Sequence, residues 1–270
     1  MSIIQDLLTE HKLLSAQRRR KEIRKYLDYY SGTSTTQYIK EYFDGEAFNE
    51  IPPYEANFTR KFINKISRIY TLGANRSLGS ISLNKAYEKM TELKNVRMKH
   101  SERMTRLLGT IANRVFWNEE RQMLDYRPIY YFECYFDEDP FKPTAIVYPL
   151  MNKVYDLSDR TKLQYAYWDS SMYAITDNDG NIIKEQANPY GILPFAFTHR
   201  EDQLDEFLVE GAGDIINCNE QVNIALTEMQ LGMRFNLFGQ PWVKGVDSDQ
   251  NLMRAGSNVI LDMGDDGSFN

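Results

Sequence analysis

The sequence predicts an α+β protein in which N-terminal helices precede a mainly antiparallel sheet, and one long helix leads into the start of a small β region. Three observations support this fold class. Apolar residues recur at helical spacing up to about residue 120, whereas residues 124–198 form short runs rich in Tyr, Ile, Val and Phe. Helical spacing then returns from about residue 203 and continues to Phe238.

The composition is that of a folded protein with one large domain or two ordinary ones. The 270 residues are 42% apolar and 26% charged, and the formal net charge is −6. This charge disfavours a protein that grips nucleic acid by neutralising phosphates. Cys134 and Cys218 form no disulfide framework or metal-binding pattern, which predicts a reducing compartment. We expect no signal peptide and no membrane association, since no apolar run approaches the roughly 20 residues that a span needs.

Residues 3–30 are predicted to form one or two helices, because Ile3, Ile4, Leu7 and Leu8 have helical spacing. The second part of this segment is strongly basic. Two interpretations of the basic run stay open, a solvated helix face or a phosphate-binding patch. Its basic residues are Arg18, Arg19, Arg20, Lys21, Arg24 and Lys25.

Three further helices are predicted before the sheet. The first has Asn57 as its N-cap and Gly73 as its C-terminal stop, the second spans residues 83–95, and the third spans residues 99–120. Their apolar faces are Phe58, Phe62, Ile66, Ile69 and Tyr70 in the first helix, and Met104, Leu107, Leu108, Ile111 and Val115 in the third.

The predicted sheet consists of short strands separated by turn signals. Asp179-Gly180 lies between two of them and is typical of a β-hairpin. The strand-like runs are residues 124–136, 142–150, 162–169, 172–176, 181–186 and 193–198.

The segment NPYGILPFAFTHRED, residues 188–202, joins an apolar strand to four polar residues. Those four residues superficially resemble the His-Arg-Asp loop of protein kinases, but the other kinase motifs are missing. We therefore predict a junction between a strand and a helix, with Thr198 or Asp202 capping the helix and His199 in a structural role.

The last helix, predicted over residues 201–238, is acidic and also apolar around much of its circumference. Gly211 and Gly213 are candidates for a break in it. Two interpretations stay open, a helix buried within a monomer or a helix that packs against copies of itself in a ring, and its length with few neighbouring helices favours the ring. Arg234 is the only base, and the acids are Glu201, Asp202, Asp205, Glu206, Glu210, Asp214, Glu220 and Glu228.

No combination of residues predicts a catalytic site, a cofactor or a metal centre. The three histidines are isolated, and no Walker phosphate loop occurs. The acidic clusters at 137–140 and 262–267 are interpreted as solvated turns. The alternative function is a metal-dependent nucleic-acid-processing enzyme of a phage, which would use Asp265 and Asp266 to hold Mg²⁺.

The order of segments along the chain resembles that of the portal proteins of tailed bacteriophages, the head-tail connector family. No single segment is specific, so the resemblance rests on their order. The strand-like segment at 259–270 should lead into a further element, so we expect this chain to be the N-terminal part of a longer protein. The matching segments are YYSG (29–32), ANFTRKFINKISRIYTLGANR (56–76), VFWNEE (115–120), NPYGILPFAF (188–197), GAGDIINCNEQVNIALTEMQ (211–230) and GQPWVKG (239–245).

The resemblance implies a homo-oligomeric ring, a dodecamer, at one vertex of the capsid, assembled in the host cytoplasm and retained in the virion. Double-stranded DNA would enter through its channel during packaging and leave through it during ejection. The implied partners are the terminase large subunit, the major capsid and scaffold proteins, and the tail adaptor. The protein itself would have no catalytic activity. By the same resemblance, residues 1–200 are a wing, residues 201–238 a stem helix, and residues 239–270 the start of a clip.

The resemblance also implies roles for three groups of residues. Acidic residues of the stem helix would line the channel or contact the next copy, which agrees with a conduit that repels phosphate. The basic run would face capsid or scaffold proteins, or DNA. The implied contacts are Glu210, Asp214, Glu220 and Glu228 for the channel or ring, Arg18–Lys25 for the capsid, scaffold or DNA, and Trp242 and Lys244 for the terminase and the adaptor.

Overall fold

The computed structural model confirms the α+β fold class. It describes residues 3–43, 52–74, 76–91, 94–150, 163–202, 205–238, 242–243 and 261–262. In these ranges the helices are α1 (Ile3–Lys12), α2 (Leu14–Ser31), α3 (Thr35–Tyr42), α4 (Phe58–Ile66), α5 (Ile81–Met90), α6 (Lys94–Leu108) and α7 (Gly213–Phe238).

The strands form two antiparallel sheets and one short parallel pair. The first sheet has the order β2-β1-β8, with β1 (Thr110–Asn118), β2 (Met123–Ile129) and β8 (Phe195–His199). The second has the order β3-β4-β5-β6-β7, with β3 (Glu133–Phe136), β4 (Pro143–Pro149), β5 (Tyr165–Trp168), β6 (Met172–Thr176) and β7 (Ile182–Ala187). β9 (Trp242–Val243) pairs in parallel with β10 (Leu261–Asp262).

The strands β4 and β5 of the five-stranded sheet are covered on both faces, and their successive side chains point alternately to the two faces. Along β4, Val147 packs against α1 while Ile146 faces the three-stranded sheet. Along β5, Tyr167 packs against α1 and Trp168 faces the three-stranded sheet. The continuous apolar character of these strands is therefore explained by two separate cores, one on each face.

A third core joins the helices to the first strand. Tyr29 of α2, Ile63 of α4, Leu107 of α6, Ile111 of β1 and Ile216 of α7 are all essentially inaccessible to solvent. This core anchors the amino-terminal half of the long helix to the body of the protein.

The prediction of one helix over residues 99–120 was wrong for the second half of that range. α6 ends at Leu108, and the chain continues as β1, in which Val115 is 38% exposed and not part of a buried stripe. Gly109 separates the two elements and has a φ of +85°, a conformation that ends a helix and favours glycine. The β-branched and aromatic residues that follow suit a strand.

The apolar face predicted for the helix after Asn57 was also wrong. The side chain of Asn57 accepts a hydrogen bond from the backbone N–H of Arg60, which confirms the N-cap. However, Ile63 is the apolar residue that α4 buries, and Phe62 and Ile66 are about half exposed. α4 ends before the predicted stop at Gly73.

Residues 209–212 cross the end of α6 at a distance that glycine alone permits. A Cβ at Gly109 would lie 2.0 Å from the carbonyl oxygen of Val209, and a Cβ at Gly211 would lie 2.5 Å from that of Leu107. The backbone N–H of Ala212 donates to the carbonyl of Leu107 over 2.9 Å. The approach to the long helix is thus locked against the end of α6.

We predict that Gly109→Ala lowers the free energy of unfolding by about 3 kcal/mol or more, since the new methyl group clashes with backbone and the φ is positive. Gly79→Ala is the matched control, because Gly79 has the same φ of +85° but no described atom within 4 Å of the position that its new methyl group would occupy. The control should cost only about 1 kcal/mol from backbone strain. Urea unfolding measures both values, and equal losses would contradict the close approach.

Candidate functional site

The candidate site is the long helix α7 together with the segments that hold it. Three polar residues, Asn219, Asn223 and Thr227, follow one another at intervals of four along α7, and all three are buried. This spacing places them on one face of the helix. We call them the polar ladder.

The polar ladder binds the backbone of residues 54–59. Oδ1 of Asn219 accepts from the backbone N–H groups of Phe58 and Thr59 over 2.7 and 2.9 Å, and its Nδ2 donates to the carbonyl of Ala56 over 3.0 Å. Asn223 accepts from the N–H of Ala56 over 2.9 Å.

Thr227 completes the ladder at the other end of the extended segment. Its hydroxyl oxygen accepts from the N–H of Tyr54 over 2.9 Å and donates to the carbonyl of Asn223 over 2.7 Å. Residues 52–57 belong to no helix or strand, so these side chains take the place of a strand partner for their backbone groups. This role was not predicted from the sequence, in which the four-residue spacing of Asn, Asn and Thr was the available signal.

The four acids assigned to the channel or ring do not share one environment. Glu210, Asp214 and Glu228 are exposed. Glu220 is half-buried, and its carboxylate lies 2.9 Å from Nζ of Lys25 and accepts from the hydroxyl of Tyr29 over 3.2 Å. Burial and this carboxylate raise the pKa of Tyr29 far above its ordinary value. Glu220 is therefore engaged within the chain and ties α7 to α2.

Over residues 213–233, the side of α7 opposite the ladder is open to solvent. This side carries a mixture of small, polar and apolar residues. The helix is therefore apolar around less of its circumference than the sequence predicted. Ile216 and Ile224 are buried and Val222 and Leu226 half-buried. The exposed residues are Asp214, Asn217, Cys218, Gln221, Ala225, Glu228, Met229, Gln230 and Met233.

The helix predicted from residue 201 begins only at Gly213. The described residues between 201 and 212 are irregular, and Phe207 among them is buried in the core between the sheets. The physical reason is the close packing of residues 209–212 on α6, which a continuous helix could not achieve.

The polar residues at 199–202 lie where strand β8 ends, but the described residues from there to 212 are irregular, so the predicted junction between a strand and a helix is only half present. Nδ1 of His199 lies 3.0 Å from the hydroxyl of Thr110, and Nη1 of Arg200 donates to the carbonyl of Gly211 over 2.7 Å. The predicted helix caps were wrong, because Thr198 lies in β8 and bonds to Thr105 over 2.8 Å, and the next helix in the described ranges after Asp202 starts only at Gly213.

A cavity of about 550 Å³ lies beside this junction, and Glu210 and Asp214 both line it. Burial, followed by the charges of Glu22, Glu210 and Asp214, raises the pKa of Tyr26 in its wall. Negative charge is therefore concentrated where α7 begins.

The basic run of α2 is mostly engaged with partners inside the protein. Arg19 forms a short ion pair with Glu133 and donates to the carbonyl of Phe132. Arg20 lies 2.9 Å from Nδ1 of His11, whose pKa is lowered by burial. Burial alone would raise the pKa of Glu133, but the neighbouring His11 and Arg19 outweigh it and lower the pKa.

The other four residues of the basic run comprise two that are paired with acids and two that are exposed. Arg24 lies 4.0 Å from Asp28, and Lys25 binds Glu220 as described above. Arg18 and Lys21 are exposed. A contact of this run with DNA, capsid or scaffold would thus rest mainly on Arg18 and Lys21.

The remaining predicted contacts are only partly described. Trp242 lies in β9, whereas Lys244, Asp265 and Asp266 fall outside the described residues. Among the residues that the structure describes, no group of three or more His, Cys, Asp or Glu side chains is placed to hold a metal ion. None of the helices in the described ranges is long and apolar enough to cross a membrane.

Comparison with models of known protein families and with curated protein sequences gave no match for this chain.

We predict that Asn219→Ala lowers the free energy of unfolding by roughly 2–4 kcal/mol, because the N–H groups of Phe58 and Thr59 lose their acceptor and the carbonyl of Ala56 loses one of its two amide donors. Asn217→Ala, on the exposed side of the same helix, is the control and should change stability by less than about 0.5 kcal/mol. The comparison is made by urea unfolding followed by circular dichroism. Similar losses for both variants would show that the ladder contributes nothing beyond helix propensity.

Proposed function

We propose that this chain is part of a portal protein of a tailed bacteriophage, a ring-forming conduit for double-stranded DNA that has no catalytic activity of its own. The observation that carries the proposal is the one-sided attachment of α7. Its ladder side is bound to residues 54–59, and its opposite side is open along the length of the helix whose exposure is described. A long helix held in this way is suited to line a channel or to contact a neighbouring copy.

Two separate exposed apolar regions support assembly into a ring. The first, which we call the 62–96 region, contains Leu72, fully exposed, and several other large apolar side chains that are about half exposed or more. Exposed apolar surface of this kind marks interaction sites. Its members are Phe62, Ile66, Ile69, Leu72, Leu78, Ile81, Leu83 and Val96.

The second region is the open side of α7 near its carboxyl end, where Ala225, Met229 and Met233 are exposed. A closed ring needs a head-to-tail contact, in which one surface of each copy meets a different surface of the next. Two distinct apolar regions on one chain meet this requirement, whereas a two-fold dimer needs only one.

The charge of the chain suits a conduit that holds DNA weakly. The net charge is −6, and Glu210, Asp214 and Glu228 project from the exposed surface of α7 or its approach. Twelve copies would carry roughly −72, which repels phosphate and lowers the barrier to sliding. The proposed partners are the terminase large subunit during packaging, the tail adaptor afterwards, and the capsid and scaffold proteins.

We predict that the full-length protein forms rings, and that Leu72→Glu and Met229→Glu each prevent ring formation, because each buries a charge in one half of the contact. Ile183→Glu, on the exposed strand β7, is the control and should still form rings. Native mass spectrometry and negative-stain electron microscopy measure the assembly state.

An equimolar mixture of the two variants distinguishes the type of contact. Each variant keeps one intact surface, so a head-to-tail contact predicts that the mixture yields dimers and no rings. Full-length protein that stays monomeric at micromolar concentration would contradict the proposed function, and rings formed by both variants would contradict the assigned contact.

A further inference from the structure

A groove of about 880 Å³ lies on a part of the molecule to which the proposed function gives no role. Its walls come from the carboxyl-terminal half of α2, from α6 and from the strands β1, β2 and β4. This volume is typical of sites for small molecules.

The groove carries an excess of positive charge. Arg24, Arg114 and Arg127 line it, with Asp28 as the acidic residue of the lining. Asp28 lies 4.0 Å from Arg24 and accepts from the hydroxyl of Tyr38 over 2.9 Å. Within the described ranges, Arg114 and Arg127 have no carboxylate within ion-pair distance.

Arg114 and Arg127 are direct cross-strand neighbours, since β1 and β2 pair these two residues in register. Like charges opposite each other on an antiparallel pair destabilise it. A bound anion would remove this repulsion by pairing with both guanidinium groups.

Two contacts hold the guanidinium group of Arg114, and one of its N–H donors has no partner among the described residues. Its guanidinium lies 4.7 Å from the ring centre of Trp168, and its Nη1 lies 3.4 Å from the hydroxyl of Tyr148. Its Nε is buried and has no hydrogen-bond partner in the part of the chain that the structure describes. The cation–π contact with Trp168 holds the guanidinium group in place before a ligand arrives.

Much of the remaining lining is aromatic or apolar, and its other polar members are Ser31, Thr33, Ser34 and His100. Tyr30 and Tyr130 are half-buried and supply accessible rings, whereas Tyr131, Tyr148 and Met104 in the lining are buried. Aromatic walls of this kind bind flat ring systems by stacking. The groove therefore combines an anion-binding end with a surface for a planar group.

We propose that this groove binds a small phosphate-bearing molecule with a planar ring, of the nucleotide class. The forked guanidinium groups of Arg114 and Arg127 bind the phosphate through paired N–H donors, a geometry that matches phosphate oxygens. The tyrosine walls contact the ring.

The test is isothermal titration calorimetry of the full-length protein with adenosine monophosphate, adenosine and inorganic phosphate. We expect adenosine monophosphate to bind, and adenosine to bind at least tenfold more weakly. Arg127→Gln should weaken binding of the monophosphate about tenfold or more. Arg121→Gln is the matched control, because Arg121 is exposed in the turn between β1 and β2 and does not line the groove.

Thermal unfolding separates a binding role from a structural one. Because Arg127→Gln relieves a like-charge pair, its unfolding midpoint without ligand should equal or exceed that of the unaltered protein. A lower midpoint would indicate a structural role. The proposal would be overturned if adenosine monophosphate did not bind at millimolar concentration, or if Arg121→Gln weakened its binding as much as Arg127→Gln does. It would also be overturned if a DNA duplex bound more tightly than the monophosphate and both variants weakened that binding equally.

Discussion

The polar ladder of Asn219, Asn223 and Thr227 is the interaction on which the rest of this structure depends. Backbone groups removed from water cost free energy unless they are hydrogen-bonded, and residues 54–59 pair with no strand in the part of the chain that is described. The ladder satisfies four N–H groups and one carbonyl of this segment and at the same time fixes one side of α7. Ordinary apolar packing would hold the helix as well, but it would not define which residues of the extended segment lie opposite each turn.

The same arrangement separates the two sides of the long helix. One side is committed to the body through the ladder, Ile216 and the ion pair of Glu220 with Lys25. The other side keeps its acids and methionines in solvent. The tight passage at Gly109 and Gly211 fixes where the helix starts. The direction of α7 is therefore fixed over the first half of its length.

The sequence predicted the local features of the fold better than the long-range ones. The Tyr-rich strands, the hairpin at Asp179-Gly180 and the N-cap at Asn57 follow from short patterns, and the structure contains them. The strand after Gly109 was predicted to be helix because Leu107, Leu108 and Ile111 keep helical spacing across the boundary. Spacing does not reveal the positive φ at Gly109, or the contact with Val209 that leaves no room for a side chain there.

Charged residues were the hardest to interpret from sequence, because their partners are distant along the chain. The basic run of α2 has the pattern of a surface patch, yet Arg19 pairs with Glu133 and Lys25 with Glu220. The partners of Asn219 and Asn223 are likewise distant along the chain, in residues 54–59. The groove around Arg114 and Arg127 left no signal at all, since the two residues meet only through the register of β1 and β2.

The most direct test of this account is native-state hydrogen exchange at the backbone amides of Tyr54, Ala56 and Phe58. If the ladder holds the extended segment, these amides exchange as slowly as that of Ile111 in the core, although Tyr54 and Ala56 lie in no helix or strand. Exchange at the rate of an open loop, while Ile111 stays protected, would show that α7 is not held by the ladder and would remove the basis for its one-sided exposure.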